Sequence, residues 1–183
     1  WWMIELRFHG RGGQGVVKAA QIIVSSVVDT GKYAQFIPFF GVERKGSPVF
    51  GFLRIDDKDI RIKTQVYTPK VLVVFDDTLL SMEKTFKGLQ EDGVVIINTK
   101  KSIKELALPK NVKEVYLVDA TEIAIENIKR NIPNTTMLGA FANACKDFIN
   151  WDILKQNIET KFGEANVKSA KVAYEKVQKY NLD

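Results

Sequence analysis

The sequence predicts an α/β fold: a mostly parallel sheet with an embedded antiparallel hairpin, helices on both faces and a helical C-terminal part. Three observations carry this. Residues 4–8 read as a short strand that runs into a glycine-rich loop, and residues 16–28 then show helical apolar spacing. Residues 71–75 and 94–97 are unbroken apolar runs, as expected of parallel strands covered on both faces. Beyond Pro133 no strand pattern recurs, and 137–149, 151–162 and 166–180 carry helix periodicity.

The remaining elements follow in order. Gly31 suits the stop of the first helix. Residues 33–37 predict a second strand ended by Pro38, and 39–48 a loop of aromatic, charged and glycine residues. Residues 49–55 and 60–63 predict a hairpin across the polar turn 56–59, because Arg54, Arg61 and Lys63 alternate with Leu53, Ile55, Ile60 and Ile62. Thr78 is the expected cap of a helix over 79–89. Residues 115–118 predict a third buried strand and 120–130 a further helix. No repeat or flexible linker divides the chain, so one domain over 3–183 is expected. Trp1 and Trp2, ahead of Met3, are left out of the fold reading.

Composition narrows the function. With 183 residues, 45% hydrophobic and 27% charged, the chain has material for a real core. No apolar run nears the ~20 residues needed to span a bilayer. No charged segment followed by a long apolar one opens the sequence, so a secretory leader is not expected and the cytoplasm is the expected compartment. The single cysteine, Cys145, cannot make an internal disulfide or supply the four thiolates of an iron–sulfur cluster; it reads as a buried structural thiol. His9 is the only histidine, which excludes multi-histidine metal sites. No metal site and no catalytic residue is therefore assigned to this chain. The net charge of +5 comes from scattered lysines without interleaved aromatics, a pattern for a solvated surface, an anionic ligand or an acidic partner rather than nucleic acid.

The candidate site is the loop Gly10, Arg11, Gly12, Gly13, Gln14 and Gly15, a G-x-G-x-x-G between strand and helix. Glycines let backbone N–H groups approach a ligand, and the helix N-terminus favours negative charge. An anion on this loop, with Arg11 as second contact, is one reading. A dinucleotide site is another, but it wants an acid at the end of the second strand, where residues 33–37 have none. A purely structural turn is the third. Asp76 and Asp77 end a buried strand and suit either a ligand-side role or helix capping. Phe39, Phe40, Glu43, Arg44 and Lys45 suit a contact loop.

The motifs carry a resemblance. The glycine loop, written H-G-R-G-G-Q-G-V over 9–16, resembles the opening signature of gamma subunits of 2-oxoacid:ferredoxin oxidoreductases, pyruvate-type ones in particular. Residues 40–48, FGVERKGSP, 71–80, VLVVFDDTLL, and 132–140, IPNTTMLGA, resemble further segments of that family in the same order. The likeness spans nearly the whole chain. It implies a gamma subunit that supports oxidative decarboxylation of a 2-oxoacid to an acyl-CoA, with electrons passed to ferredoxin. It also implies that thiamine diphosphate, Mg2+ and the iron–sulfur clusters sit on alpha, beta and delta partners. On this chain it implies a coenzyme A contact at the glycine loop, and a substrate-side or interface role for Phe39, Phe40, Glu43, Arg44, Lys45, Asn134 and Met137. A stand-alone nucleotide-binding oxidoreductase and a purely structural interaction module are the rival readings.

Overall fold

A computed structural model describes residues 3–39 and 45–183. Seven strands make one sheet: β1 (Ile4–Arg11), β2 (Tyr33–Phe39), β3 (Pro48–Asp56), β4 (Val71–Val74), β5 (Val94–Asn98), β6 (Glu114–Val118) and β7 (Gln178–Asn181). Their order is β2-β3-β1-β4-β5-β6-β7. β1, β4, β5 and β6 run parallel, while β3 and β7 run against their neighbours. The helices are α1 (Val16–Asp29), α2 (Glu83–Phe86), α3 (Ala120–Ile128), α4 (Asn134–Ala144), α5 (Trp151–Phe162) and α6 (Glu164–Lys176).

Both faces are covered, but unequally. One face carries α1 and α3–α6 over the main core, which includes Leu6, Phe8, Ile23, Val73, Ile96 and Phe141. On the other face, α2 and short 3₁₀ turns at Asp77–Ser81 and Ile103–Glu105 cover a smaller core around Leu72, Val95, Ile97 and Phe86. β4 and β5 are buried along their whole length, which accounts for their unbroken apolar runs.

The structure corrects four expectations. The embedded hairpin is β2–β3, not 49–55 with 60–63. β3 pairs with β1 on one edge and β2 on the other, so no edge is left for 60–63. The helix expected over 79–89 is a 3₁₀ turn followed by the single turn of α2. The cap there is Asp76, whose side chain accepts from the Thr78 N–H. Finally, a strand does follow Pro133: β7 pairs with β6 after α6 ends.

Candidate anion site

β1 runs on to Arg11, so the glycine loop begins inside the sheet. Gly10 pairs with Val49 and Arg11 with Pro48 on β3. The turn is then fixed from both sides. The Gly12 N–H donates to the Ser47 carbonyl at 2.8 Å, and the Gly46 N–H to the Gly12 carbonyl at 3.2 Å. The Gln14 amide bridges inward, accepting from the Arg11 N–H at 2.7 Å and donating to Asp76 at 2.7 Å. Gly13 and Gly15 have φ of 93° and 75°, a region that L side chains rarely adopt, so these two positions need glycine.

Gly15 caps α1 without a side-chain acceptor, and the first turn of α1 holds no acid. The N–H groups of Val16, Val17 and Lys18 therefore carry the helix's partial positive charge outward. They open onto a cavity of about 670 Å³. Its wall includes Gly12, Gly13 and Gly15 from the loop, Lys18 from α1, Ile128, Arg130 and Ile132 from the end of α3 and the turn after it, Asn134 from the start of α4, Phe162 from α5, and Asn166 from α6. Among the described residues, the lining contains no aspartate or glutamate. Lys18 and Arg130 are exposed and have no ion pair among the described residues. Such a concavity has room and charge for an anionic ligand with an apolar part.

The sequence-derived residues distribute unevenly around this cavity. Gly12, Gly13 and Gly15 line it; Gly10 and Gln14 hold the turn behind it. Arg11 lies at its edge, but its guanidinium donates to Thr78 Oγ1 at 2.9 and 3.0 Å and to the Gly46 carbonyl at 3.2 Å, and sits 3.7 Å from Asp76. Asn134 lines the cavity directly. Met137, expected on a contact surface, is 1% exposed in the main core, and neighbouring Leu138 and Phe141 are equally buried. Helix α4 is buried continuously from Asn134 to Ala142 because it packs against α6 and the sheet. Phe39, on the edge strand, is 42% exposed and stacks on Phe50 at 4.7 Å, and it does not line the cavity. Lys45 is exposed; Phe40, Glu43 and Arg44 lie outside the described residues.

Sequence reasoning missed Lys18, Arg130, Phe162 and Asn166. Lys18 did leave a signal: a cation in the first turn of a helix opposes the dipole and calls for a reason. Arg130, Phe162 and Asn166 reach the cavity only through tertiary packing.

Asp76 is a structural carboxylate. Burial pushes its pKa up, but hydrogen bonds from Thr78 and Gln14 and the nearby Arg11 outweigh this and hold it below its usual range. Asp77 accepts from Thr99 Oγ1 at 2.7 Å. No group of three His, Cys, Asp or Glu side chains suited to a metal occurs among the described residues. Cys145 is buried, and burial drives its thiol pKa well up, the reverse of what a metal-binding thiolate needs. The side chains here do not fit an iron–sulfur cluster.

Comparison with known proteins gives one family. Residues 5–176 match the family described as pyruvate ferredoxin/flavodoxin oxidoreductase. The chain is 49% identical over 185 residues to the pyruvate/ketoisovalerate oxidoreductases common subunit gamma of Pyrococcus abyssi, covering 98% of this chain and all of that one. It is 47% identical over 180 residues to pyruvate synthase subunit PorC of Methanothermobacter marburgensis, covering 96% and 98%. Among solved structures, pyruvate oxidoreductase subunit PORC of Thermotoga maritima superposes with a TM-score of 0.85 at 36% identity, covering 98% of this chain and 99% of that one.

Proposed function

Because the chain belongs to the pyruvate ferredoxin/flavodoxin oxidoreductase family, we propose that it works as the gamma subunit of a pyruvate-type 2-oxoacid:ferredoxin oxidoreductase and forms part of that complex's coenzyme A site. The complex decarboxylates a 2-oxoacid oxidatively, forms an acyl-CoA and passes the electrons to ferredoxin. Its thiamine diphosphate, Mg2+ and iron–sulfur clusters belong to the alpha, beta and delta partners, consistent with the lone buried cysteine here. Residues 3–183 act as one gamma-type domain in the cytoplasm. No described helix is long and apolar enough to cross a membrane.

The observation that carries the coenzyme A role is the α1 N-terminus facing a cavity whose described lining holds no acid. Coenzyme A is a polyanion with a long apolar-to-polar arm, and this is the concavity on the described surface that matches one end of it. The test is kinetic and uses the assembled complex. Gly13→Val places a β-branched residue at a φ of 93° and crowds the loop's approach to the ligand. The expected result is a KM for coenzyme A raised by roughly tenfold, equivalent to about 1.4 kcal/mol, with the KM for the 2-oxoacid unchanged. Normal coenzyme A kinetics in a correctly assembled variant would return the loop to a structural role.

A further inference from the structure

The two edges of the sheet differ. β7 is four residues long and polar, and its Lys179 meets Glu114. β2 is seven residues long, with the sequence YAQFIPF, and carries no charge. Sheets blunt their exposed edges with short strands and charges, so a long uncharged edge calls for an occupant. The register shows which backbone groups of β2 are free. On β1, the Glu5 and His9 carbonyls accept from the Lys70 and Phe75 N–H groups on the β4 side, at 2.8 Å each. Successive residues of a strand bond to opposite sides, so Phe8 bonds towards β3 and its partner Gly51 bonds back to it. Phe50 and Phe52 then face β2 and hold Phe39 and Ile37. Ala34, Phe36 and Pro38 are left pointing off the sheet. Pro38 agrees with this, since a proline on an edge strand turns its nitrogen outward. Among the described residues, nothing accepts from the Ala34 and Phe36 N–H groups.

We propose that β2 pairs antiparallel with β2 of a second copy of this chain, about a two-fold axis at Phe36, and joins the two sheets into one. Self-complementarity selects this occupant. Each Phe36 N–H donates to the other copy's Phe36 carbonyl, and each Ala34 N–H to the other copy's Pro38 carbonyl. Every free donor of the edge thus finds an acceptor, although proline supplies none of its own. The side chains fit the same axis. Tyr33 and Phe39 lie on one face of β2, six residues apart, and are 47% and 42% exposed. Only an axis at Phe36 sets each directly opposite the other, which gives an aromatic cross-strand pair at both ends of the joint. Charge agrees. Two copies of β2 meet without repulsion, whereas two copies of β7 would each bring a lysine. A contact of one strand edge and four rings sits at the low end of specific interfaces, about 1,000 Å². The dimer is therefore reversible, with association in the micromolar range. None of residues 33–39 lines the cavity, so this pairing stands or falls separately from the coenzyme A reading.

The experiment is sedimentation equilibrium of the full chain from low to high micromolar concentration, with amide hydrogen exchange at both ends of that range. The expected result is a monomer–dimer equilibrium in which the Ala34 and Phe36 amides exchange slowly only at high concentration. Two charge variants test the register. Tyr33→Lys with Phe39→Lys sets like charges opposite one another at both ends and should raise the dissociation constant about tenfold or more. Tyr33→Lys with Phe39→Glu sets opposite charges there and should keep it within about threefold of the native value. Both variants replace the same two exposed rings, so a fold disturbed by their loss disturbs both alike, and the exchange measurement on the native chain needs no substitution. A native chain that stays monomeric across the range, or two variants that associate equally, overturns the inference. Protection of the two amides only after assembly with other subunits gives the edge to a strand of another chain and overturns it as well.

Discussion

Two residues ahead of the glycine loop, β1 hides a charge and a histidine. The Arg7 guanidinium is buried, and burial lowers its pKa to about 10. It donates to four carbonyls, of Val66, Lys84, Thr85 and Lys87, and through Nε to His9 Nε2 at 2.9 Å. The histidine must therefore present a bare Nε2 and carry its proton on Nδ1. Burial, then Arg7 and Lys84, lower its pKa to about 3. The unfolded chain takes up this proton near pH 6.5 and the folded protein only near 3, so between those values the unfolded state binds more protons. Stability present above pH 6.5 is lost as the pH falls through that window. From pH 7 to 5 the loss attributable to His9 is expected to be about 2 kcal/mol. His9→Gln keeps an acceptor for Arg7 and cannot titrate. Denaturant titrations at both pH values should show the extra slope in the native chain and not in the variant. Parallel slopes would mean that His9 is protonated in the fold.

Among the elements, legibility followed burial. β4, β5 and α1 were plain in the sequence because each buries an apolar run or stripe whose period survives into the structure. The glycine loop was legible for a different reason: positive φ at Gly13 and Gly15 restricts the residue type itself. What failed were elements whose form depends on partners distant in sequence. Residues 60–63 alternate like a strand, yet the edges of β3 are already filled by β1 and β2. The backbone near 65–66 is held instead by buried arginines, Arg54 donating to the Gln65 carbonyl and Arg7 to that of Val66. β7 has the polar sequence QKYN and no apolar alternation. It becomes a strand because β6 offers an open edge, where Lys179 meets Glu114 at 3.4 Å and Tyr180 and Leu182 pack on the smaller core. Removing residues 178–183 should leave α6 intact but uncover that edge. The lost packing of two half-buried side chains is worth roughly 1–3 kcal/mol. A bared sheet edge also invites strand pairing between copies. A lowered Tm and association on size-exclusion chromatography are the expected signs. An unchanged, monodisperse truncation would make β7 dispensable.

At the scale of the whole molecule, the chemistry needed for the family's reaction exceeds what these side chains offer. Electron transfer through iron–sulfur clusters takes four thiolates per cluster, and the sequence has one cysteine, sealed in the core at the end of α4. Decarboxylation of a 2-oxoacid needs an electron sink for the carbanion, which no ordinary side chain provides. Two carboxylates at the end of β4 are engaged in structure: Asp76 caps a 3₁₀ turn and binds Gln14 of the glycine loop, and Asp77 holds Thr99. What the chain does offer is a shaped, positively biased cavity on a rigid strand–loop–helix unit, and binding energy of that kind acts on a reaction only when the reacting groups are held nearby. The purified chain, supplied with thiamine diphosphate, Mg2+, coenzyme A, pyruvate and oxidised ferredoxin, is therefore expected to release no CO2 and reduce no ferredoxin. Adding it to a complex that lacks its gamma subunit should restore acyl-CoA formation, and the restored KM for coenzyme A should follow the identity of residue 13. Turnover by the chain alone, in a preparation free of partner subunits by mass spectrometry, would show that it carries catalytic chemistry of its own.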